Sequence, residues 1–293
     1  MIKVIVSDMD GTLFKDHKKT IFNLSDRNEE ALKKLHNSNI SFFVASGRMY
    51  KYGIKLLKDH HFTNIICSGF NGSDIYDNGK SPIRYTLDFN IVKDILDHLK
   101  DYKNLYIQVQ TLDGNRIFNN PNLPIVDTYR KQNSLFHLDN VVEIPMEEYL
   151  EIYRPNNLSK LSIILYDSNN QEEIYNIVKG IINDNCFATI SGPITIEIGN
   201  PNANKGVFIK YLQDTYHYSK DEIAVIGDAM NDLEMFPYSN FSFAMDSGRD
   251  EVKEKANYIV KDVAECIDFC LNYNKALWVS KLTVLFILLF HRY

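Results

Sequence analysis

Val4-Ile5-Val6-Ser7-Asp8-Met9-Asp10-Gly11-Thr12-Leu13 begins as an apolar run and closes on acids and a turn. Such a run predicts a buried β-strand, and the i, i+2 spacing sends the Asp8 and Asp10 carboxylates off its end on the same side. Like charges held this close repel and raise one pKa unless a cation shares the site, and an oxygen-rich site of this kind favours a hard ion such as Mg2+. With such an ion present, Asp8 could attack phosphorus as a nucleophile, while Asp10 could give a proton to a leaving group and later take one from water. Gly11 permits a tight turn, and Thr12 offers a hydroxyl and a backbone donor to phosphate oxygens. Without further context the same residues read as a strand followed by an ordinary Asp-Gly turn.

Outward from this strand, Leu24 to Asn37 reads as a helix with Ser25 as its cap, and Ile40 to Ala45 as the next strand. A helix through Ile54, Leu56 and Leu57 then leads to the apolar segment Ile65-Ile66-Cys67. This is the βαβ alternation of an α/β protein with a parallel sheet. It returns late in the chain, with Lys205 to Tyr216 as helix, Ile223 to Ile226 as buried strand and Asp232 to Phe236 as the start of another helix. Between the two stretches lie roughly a hundred residues that read as a separate insert. Ile91 to Leu99 and Ile174 to Ile182 are its helices, Leu105 to Val109 and Leu161 to Leu165 its strands, and Asn119 to Pro124 a loop. Ile83 to Tyr85 and Gly192-Pro193 are the expected crossing points.

Three further segments place chemistry behind the expected strands. Ala45-Ser46-Gly47-Arg48 brings a hydroxyl and backbone donors to the carboxyl edge that carries Asp8, where open α/β sheets bind ligands, although alone it is a simple turn. Asn204-Lys205-Gly206 puts a lysine at a helix start, against the dipole preference for cations at helix C-termini. Gly227-Asp228-Ala229-Met230-Asn231-Asp232 follows Ile223 to Ile226 with two more acids and an amide, which alone would suggest a helix cap.

In this order the four segments resemble the haloacid dehalogenase-like phosphohydrolases, in the Cof-type branch. Asp8-Met9-Asp10-Gly11-Thr12-Leu13 matches the first motif throughout, Ser46 with Gly47-Arg48 the second, Lys205 the third, and Gly227-Asp228 with Asn231-Asp232 the fourth. Ser68-Gly69-Phe70-Asn71-Gly72 is similar to the branch's Asn-Gly segment, and Ala244-Met245-Asp246-Ser247 is an imperfect echo in which Asp246 replaces a usual glycine. The resemblance implies a Rossmann-like doubly wound core of residues 1–82 and 195–274, with a type-2 α+β cap over 83–194 that closes on the site. It implies Mg2+ held by Asp8, Asp228 and the backbone carbonyl of Asp10, supported by Asp232 through water or an outer contact. Thr12, Ser46, Gly47, Arg48, Lys205 and Asn231 would bind phosphate or substrate, Asp8 would become an aspartyl phosphate, and Asp10 would be the acid and base. The implied activity is hydrolysis of small phosphorylated metabolites such as sugar phosphates. A phosphomutase similar to the phosphomannomutases would need a second phosphate site in the insert, where Arg84, Arg116, Arg130 and Arg154 are the available arginines. A phospho-ligand binding protein on a silent enzyme fold is a further alternative.

The remaining composition narrows the partners. With 45% hydrophobic and 24% charged residues among 293, the chain can bury a sizeable core. Its net charge of −6 and lack of a basic aromatic stripe argue against nucleic acid. Cys67, Cys186, Cys266 and Cys270 are scattered, and the Cys266/Cys270 spacing without a second Cys or His pair reads as ordinary thiols; His60-His61 reads likewise. The N-terminus enters a strand with no leader pattern, so a cytoplasmic home is expected. Leu282 to Phe290 is a nine-residue apolar run in a tail, 275–293, that is too short to span a bilayer, and a packing or non-functional segment is expected there rather than stable membrane insertion.

Overall fold

The computed structural model describes residues 1–14, 24–102, 105–112, 116–118, 141, 142, 148, 157–166, 168–192 and 194–290. The expected loop at Asn119 to Pro124, Pro193, Arg130, Arg154 and the terminal His291 to Tyr293 lie outside them. The chain forms two compact units, one of Met1–Ser46, Leu56–Ser68 and Asn204–Tyr293, the other of Gly47–Lys55 and Gly69–Ala203.

Along the chain β1 (Val4–Ser7), β2 (Ser41–Ala45) and β3 (Ile66–Gly69) alternate with α1 (Asp26–Leu35) and α2 (Tyr50–Asp59), the first part of α2, as far as Lys55, being counted with the second unit. Ser25 caps α1, its side chain accepting from the Asn28 N–H. The second unit opens with the hairpin β4 (Asp74–Asp77) and β5 (Lys80–Arg84), turned by Asn78-Gly79, both with positive φ. It continues through α3 (Phe89–Leu99), β6 (Leu105–Thr111), β7 (Arg116–Phe118), β8 (Val141–Val142), β9 (Leu158–Leu165), α4 (Gln171–Ile181), β10 (Phe187–Gly192) and β11 (Thr195–Gly199). Its sheet order is β10-β11-β9-β6-β7-β8. Ile107, Val109, Leu161, Ile163, Ile196 and Ile198 form its apolar core with Ile91, Ile95 and Val178 of the two helices.

The chain re-enters the first unit with α5 (Lys205–Tyr216), β12 (Ile223–Gly227), β13 (Phe241–Met245), α6 (Asp250–Lys253), β14 (Tyr258–Val260) and α7 (Val263–Phe290). The strands stand in the order β14-β13-β12-β1-β2-β3, paired in parallel from β14 through to β3. Val4, Ile5, Val6 and Ile223 to Ile226 are fully buried, as parallel strands covered on both faces require. The order reverses between β1 and β12, the switch point at which such sheets bind ligands.

One expectation changes. Asp232 to Phe236 does not start an α-helix: the segment makes two 3-10 turns, Met230–Asp232 and Phe236–Tyr238. Pro237 has no N–H to continue a helix, and the Asp232 carboxylate is turned back onto the amides of Asp228 and Ala229. α7 runs unbroken into the apolar tail as far as Phe290. Asn274 ties this helix to the chain start, accepting from the Ile2 N–H at 2.8 Å and donating to the Ile2 carbonyl at 2.7 Å. Among the described residues no helix is long and apolar enough to cross a membrane. All four cysteines are buried thiols.

Candidate active site

β1 ends at Ser7, and the next residues fold into a closed loop in which Phe14 N–H donates to the Met9 carbonyl and Gly11 N–H to the Phe14 carbonyl. Asn28, itself buried, pins this loop by donating to the Leu13 carbonyl at 3.1 Å while accepting from the Ala264 N–H of α7. Gly11 has φ +89°, and a Cβ there would stand 2.4 Å from Asp228 Oδ2. Only glycine serves both demands. The turn therefore holds Asp8 and Asp228 side by side at the switch point.

Lys205 is the electrostatic centre of the cluster. It lies at the start of α5, whose preceding Asn204 caps the helix through the Val207 N–H at 3.1 Å. Its side chain is only 1% exposed, and Nζ donates to Asp8 Oδ1 at 2.5 Å and to Asp232 Oδ1 at 2.6 Å. A lysine so deeply buried needs such partners. The other oxygen of Asp232 accepts from the Asp228 and Ala229 N–H groups, each at 2.9 Å. Thr12 Oγ1 donates to Asp228 Oδ1 at 2.7 Å. One oxygen each from Asp8, Asp228 and Asp232 lies within 4.8 Å of the others.

Three carboxylates thus meet here, and the Lys205 ammonium pairs with two of them, Asp8 and Asp232. Burial pushes the Asp8 carboxyl up to about 8, Lys205 opposes this, and the charges of Asp232 and Asp228 add to it. Burial acts to lower the Lys205 ammonium, but Asp232 and Asp8 outweigh it and hold it above the usual lysine range. The excess negative charge and the all-oxygen donor set suit a hard divalent cation.

Of the residues singled out from sequence, Asp8, Thr12, Lys205, Asp228 and Asp232 come together in this cluster. Asp10 is half-buried beside it in the loop, and Asn231 is exposed on the 3-10 turn. Ser46 is buried at the end of β2, where its N–H donates to the Ser68 carbonyl at 3.1 Å. Gly47 and Arg48 belong to the second unit. There the Arg48 guanidinium lies 5.7 Å from the Tyr52 ring centroid, and a Cβ on Gly47 would meet Asn71 Oδ1 at 3.0 Å. Sequence reasoning missed the Thr12–Asp228 link and the role of Asn28 as a pin. The clue to the second was a polar residue on the apolar face of α1, since Asn28 is buried with Ala31, Leu32 and Leu35.

Comparisons with known proteins identify the family. The family model described as haloacid dehalogenase-like hydrolase matches residues 5–266. A Bacillus subtilis protein named 5-amino-6-(5-phospho-D-ribitylamino)uracil phosphatase YwtE is 30% identical over 277 residues, covering 89% of this chain and 93% of its own. The crystal structure of TM0651 from Thermotoga maritima shares the fold with a TM-score of 0.77 at 23% identity, over 92% of this chain and 97% of that one. A haloacid dehalogenase-like hydrolase from Bacteroides thetaiotaomicron does so with a TM-score of 0.75 at 23% identity, over 92% and 100%. With the family model spanning most of its length and a relative at 30% identity matched nearly end to end, the chain belongs to the haloacid dehalogenase-like hydrolases.

Proposed function

We propose that this protein is a Mg2+-dependent phosphomonoester hydrolase that acts on small phosphorylated metabolites such as sugar phosphates by way of a phosphorylated Asp8. The observation that carries the reading is the buried Lys205 bridging Asp8 and Asp232 beside Asp228, an arrangement that structural stability alone does not favour. The name of the Bacillus relative, a phosphatase for a phosphoribityl compound, points to the same class of substrate.

Asp8, Asp228 and the Asp10 carbonyl would hold the cation, which when bound neutralises the acids and polarises the phosphoryl group. Asp232 is suited to a supporting role, because both its oxygens already serve Lys205 and two backbone amides. Lys205 holds Asp8 Oδ1 and sets the direction from which the carboxylate attacks phosphorus. Phosphoryl oxygens would be met by Lys205, by the N–H of Thr12 and by Ser46, with Gly47, Arg48 and Asn231 as further substrate contacts. The Asp8–phosphorus bond forms as the bond to the leaving oxygen breaks, and Asp10 gives that oxygen its proton. Asp10 then takes a proton from the water that attacks phosphorus, releasing inorganic phosphate and restoring Asp8. Residues 83–194 would serve as the cap that confers substrate selectivity.

The test is phosphate release from sugar phosphates, pyridoxal phosphate, flavin mononucleotide and p-nitrophenyl phosphate, with and without Mg2+, beside an Asp8→Asn control. Turnover that needs Mg2+ and vanishes in the control supports the reading. Silence from folded protein across the panel would sink it, and turnover appearing only with a sugar bisphosphate activator would replace it by a mutase.

A further inference from the structure

The crossover from β12 to β13, residues 228–240, reaches from one end of the first unit's parallel strands to the other. Asp228 and Asp232 stand at its start, beyond the carboxyl end of β12 and within the acidic cluster. At its finish the Ser239 hydroxyl donates at 2.6 Å to the carbonyl of Ile223, the first residue of β12. Between them lie two 3-10 turns, a form with poorer hydrogen-bond geometry than an α-helix. The crossover packs tightly on the start of α5, since a Cβ on Gly206 would collide with the Glu234 carbonyl. Gly206 adjoins Lys205, which bonds Asp232, so this one segment bears on two members of the cluster.

At the amino ends of β13 and β14, away from the cluster, a cavity of about 660 Å³ opens beside this crossover. Its volume is that of a small-molecule site. Leu233, Phe236 and Pro237 of the crossover give it an apolar wall. Its polar part is built around Ser242, whose N–H and hydroxyl both donate to Asn257 Oδ1, at 3.1 and 2.7 Å, while the Asn257 N–H donates back to Ser242 Oγ at 3.0 Å. With Oδ1 so engaged, Asn257 presents its Nδ2 as a donor of fixed direction. Lys255 also lines the cavity, exposed and with no carboxylate partner among the described residues. No acid is found in the described lining. An ammonium and an oriented amide donor beside an apolar wall suit an acceptor-only carboxylate on an apolar body, whose one charge one lysine can match.

We propose that this cavity is a regulatory site for a small organic monocarboxylate with an apolar body, coupled to the catalytic cluster through the 228–240 crossover. The occupant favours the position of Leu233 and Phe236 that closes on it, and the same segment carries Asp232 and with it the bond that orients Lys205. The regulatory role rests on the phosphatase reading, whereas binding does not.

Calorimetric titration of the full chain with hydrocinnamate, octanoate and indoleacetate, each beside its alcohol, tests it on wild type and on Lys255→Glu, an exposed position outside the catalytic cluster. At least one acid should bind saturably and about fivefold or more tighter than its alcohol, and Lys255→Glu should weaken it by a similar factor. Saturation with that acid should change kcat for p-nitrophenyl phosphate with Mg2+ by about fivefold or more. In Lys255→Glu the concentration for half the effect should rise by the same factor as the dissociation constant. No saturable binding, equal binding of acid and alcohol, or binding indifferent to Lys255→Glu overturns the site. Binding that leaves kcat within about twofold overturns the coupling. Folded protein that binds the acid yet releases no phosphate with or without it overturns the phosphatase reading, and with it the regulatory role, while the binding site is upheld.

Discussion

Replacing Lys205 with methionine keeps the length of the side chain and removes the ammonium that pairs with Asp8 and Asp232. Nζ bonds Asp8 and Asp232 at 2.5 and 2.6 Å, and these three residues are at most 4% exposed. Breaking a buried ion pair by deleting one partner costs about 3–5 kcal/mol, because the other charge stays buried and unpaired. That is a large part of the roughly 5–15 kcal/mol that holds a typical domain folded. Asp8 can escape part of the penalty by keeping its proton, since its carboxyl already stands at about 8 with the lysine in place and must rise further without it. Lys205→Met is therefore expected to lose least stability in mild acid and most above about pH 8. Urea denaturation with chelator present, at several pH values, measures this. Mg2+ should recover part of the loss, because the cluster becomes more negative by one charge. Turnover of p-nitrophenyl phosphate with saturating Mg2+ should fall about 10²–10³-fold, as expected when a preorganised charge leaves the reacting centre. A variant as stable as wild type at every pH in chelator, and within tenfold of its turnover, would refute the electrostatic account.

The folded Asp8 carboxyl stands at about 8, well above the usual aspartate range, so between that range and pH 8 the cation-free folded protein holds a proton that the unfolded chain has lost. Its stability should fall as pH rises through the window, whereas stabilisation by Mg2+, which must displace that proton, should grow toward pH 8; a pH-independent thermal shift on adding Mg2+ contradicts this. Gly11→Ala places a Cβ 2.4 Å from Asp228 Oδ2 at φ +89°, and the resulting displacement should cost about 10²-fold in turnover with the circular dichroism spectrum retained. Wild-type turnover in that variant would show that Asp228 is dispensable. Thr12→Val keeps shape but removes the 2.7 Å donor to Asp228, so Mg2+ affinity by calorimetry should weaken by about tenfold or more, and unchanged affinity would show that the link does not position a ligand.

The elements nearest the site were the easiest to read. β1, α5 and β12 are an apolar run, a capped amphipathic stretch and another apolar run, and each is bounded by residues of contrasting chemistry. Asp8, Lys205 and Asp228 are legible for the same reason, as each stands just beyond or at the start of a regular element. The hairpin of β4 and β5 went unread despite Asn78-Gly79, because its alternation is blurred by Lys80 and Pro82. The segment after β12 misled because Asp232 resembles a helix-starting residue, when its carboxylate is committed to a lysine 27 positions away and to two local amides. Links such as Thr12 to Asp228, 216 residues apart, depend on which strand ends meet at the switch point. Strand order is a property of the assembled sheet, and no local pattern carries it.

The central claim is that phosphate passes through Asp8. Single-turnover reaction with a substrate found in the phosphate-release panel, quenched in acid and reduced with borohydride, converts an acyl phosphate to homoserine while leaving free carboxylates intact. Peptide mass analysis should then find homoserine at position 8 in wild type and not in Asp8→Asn. Rapid phosphate release with no modification at position 8 at any quench time would contradict the account.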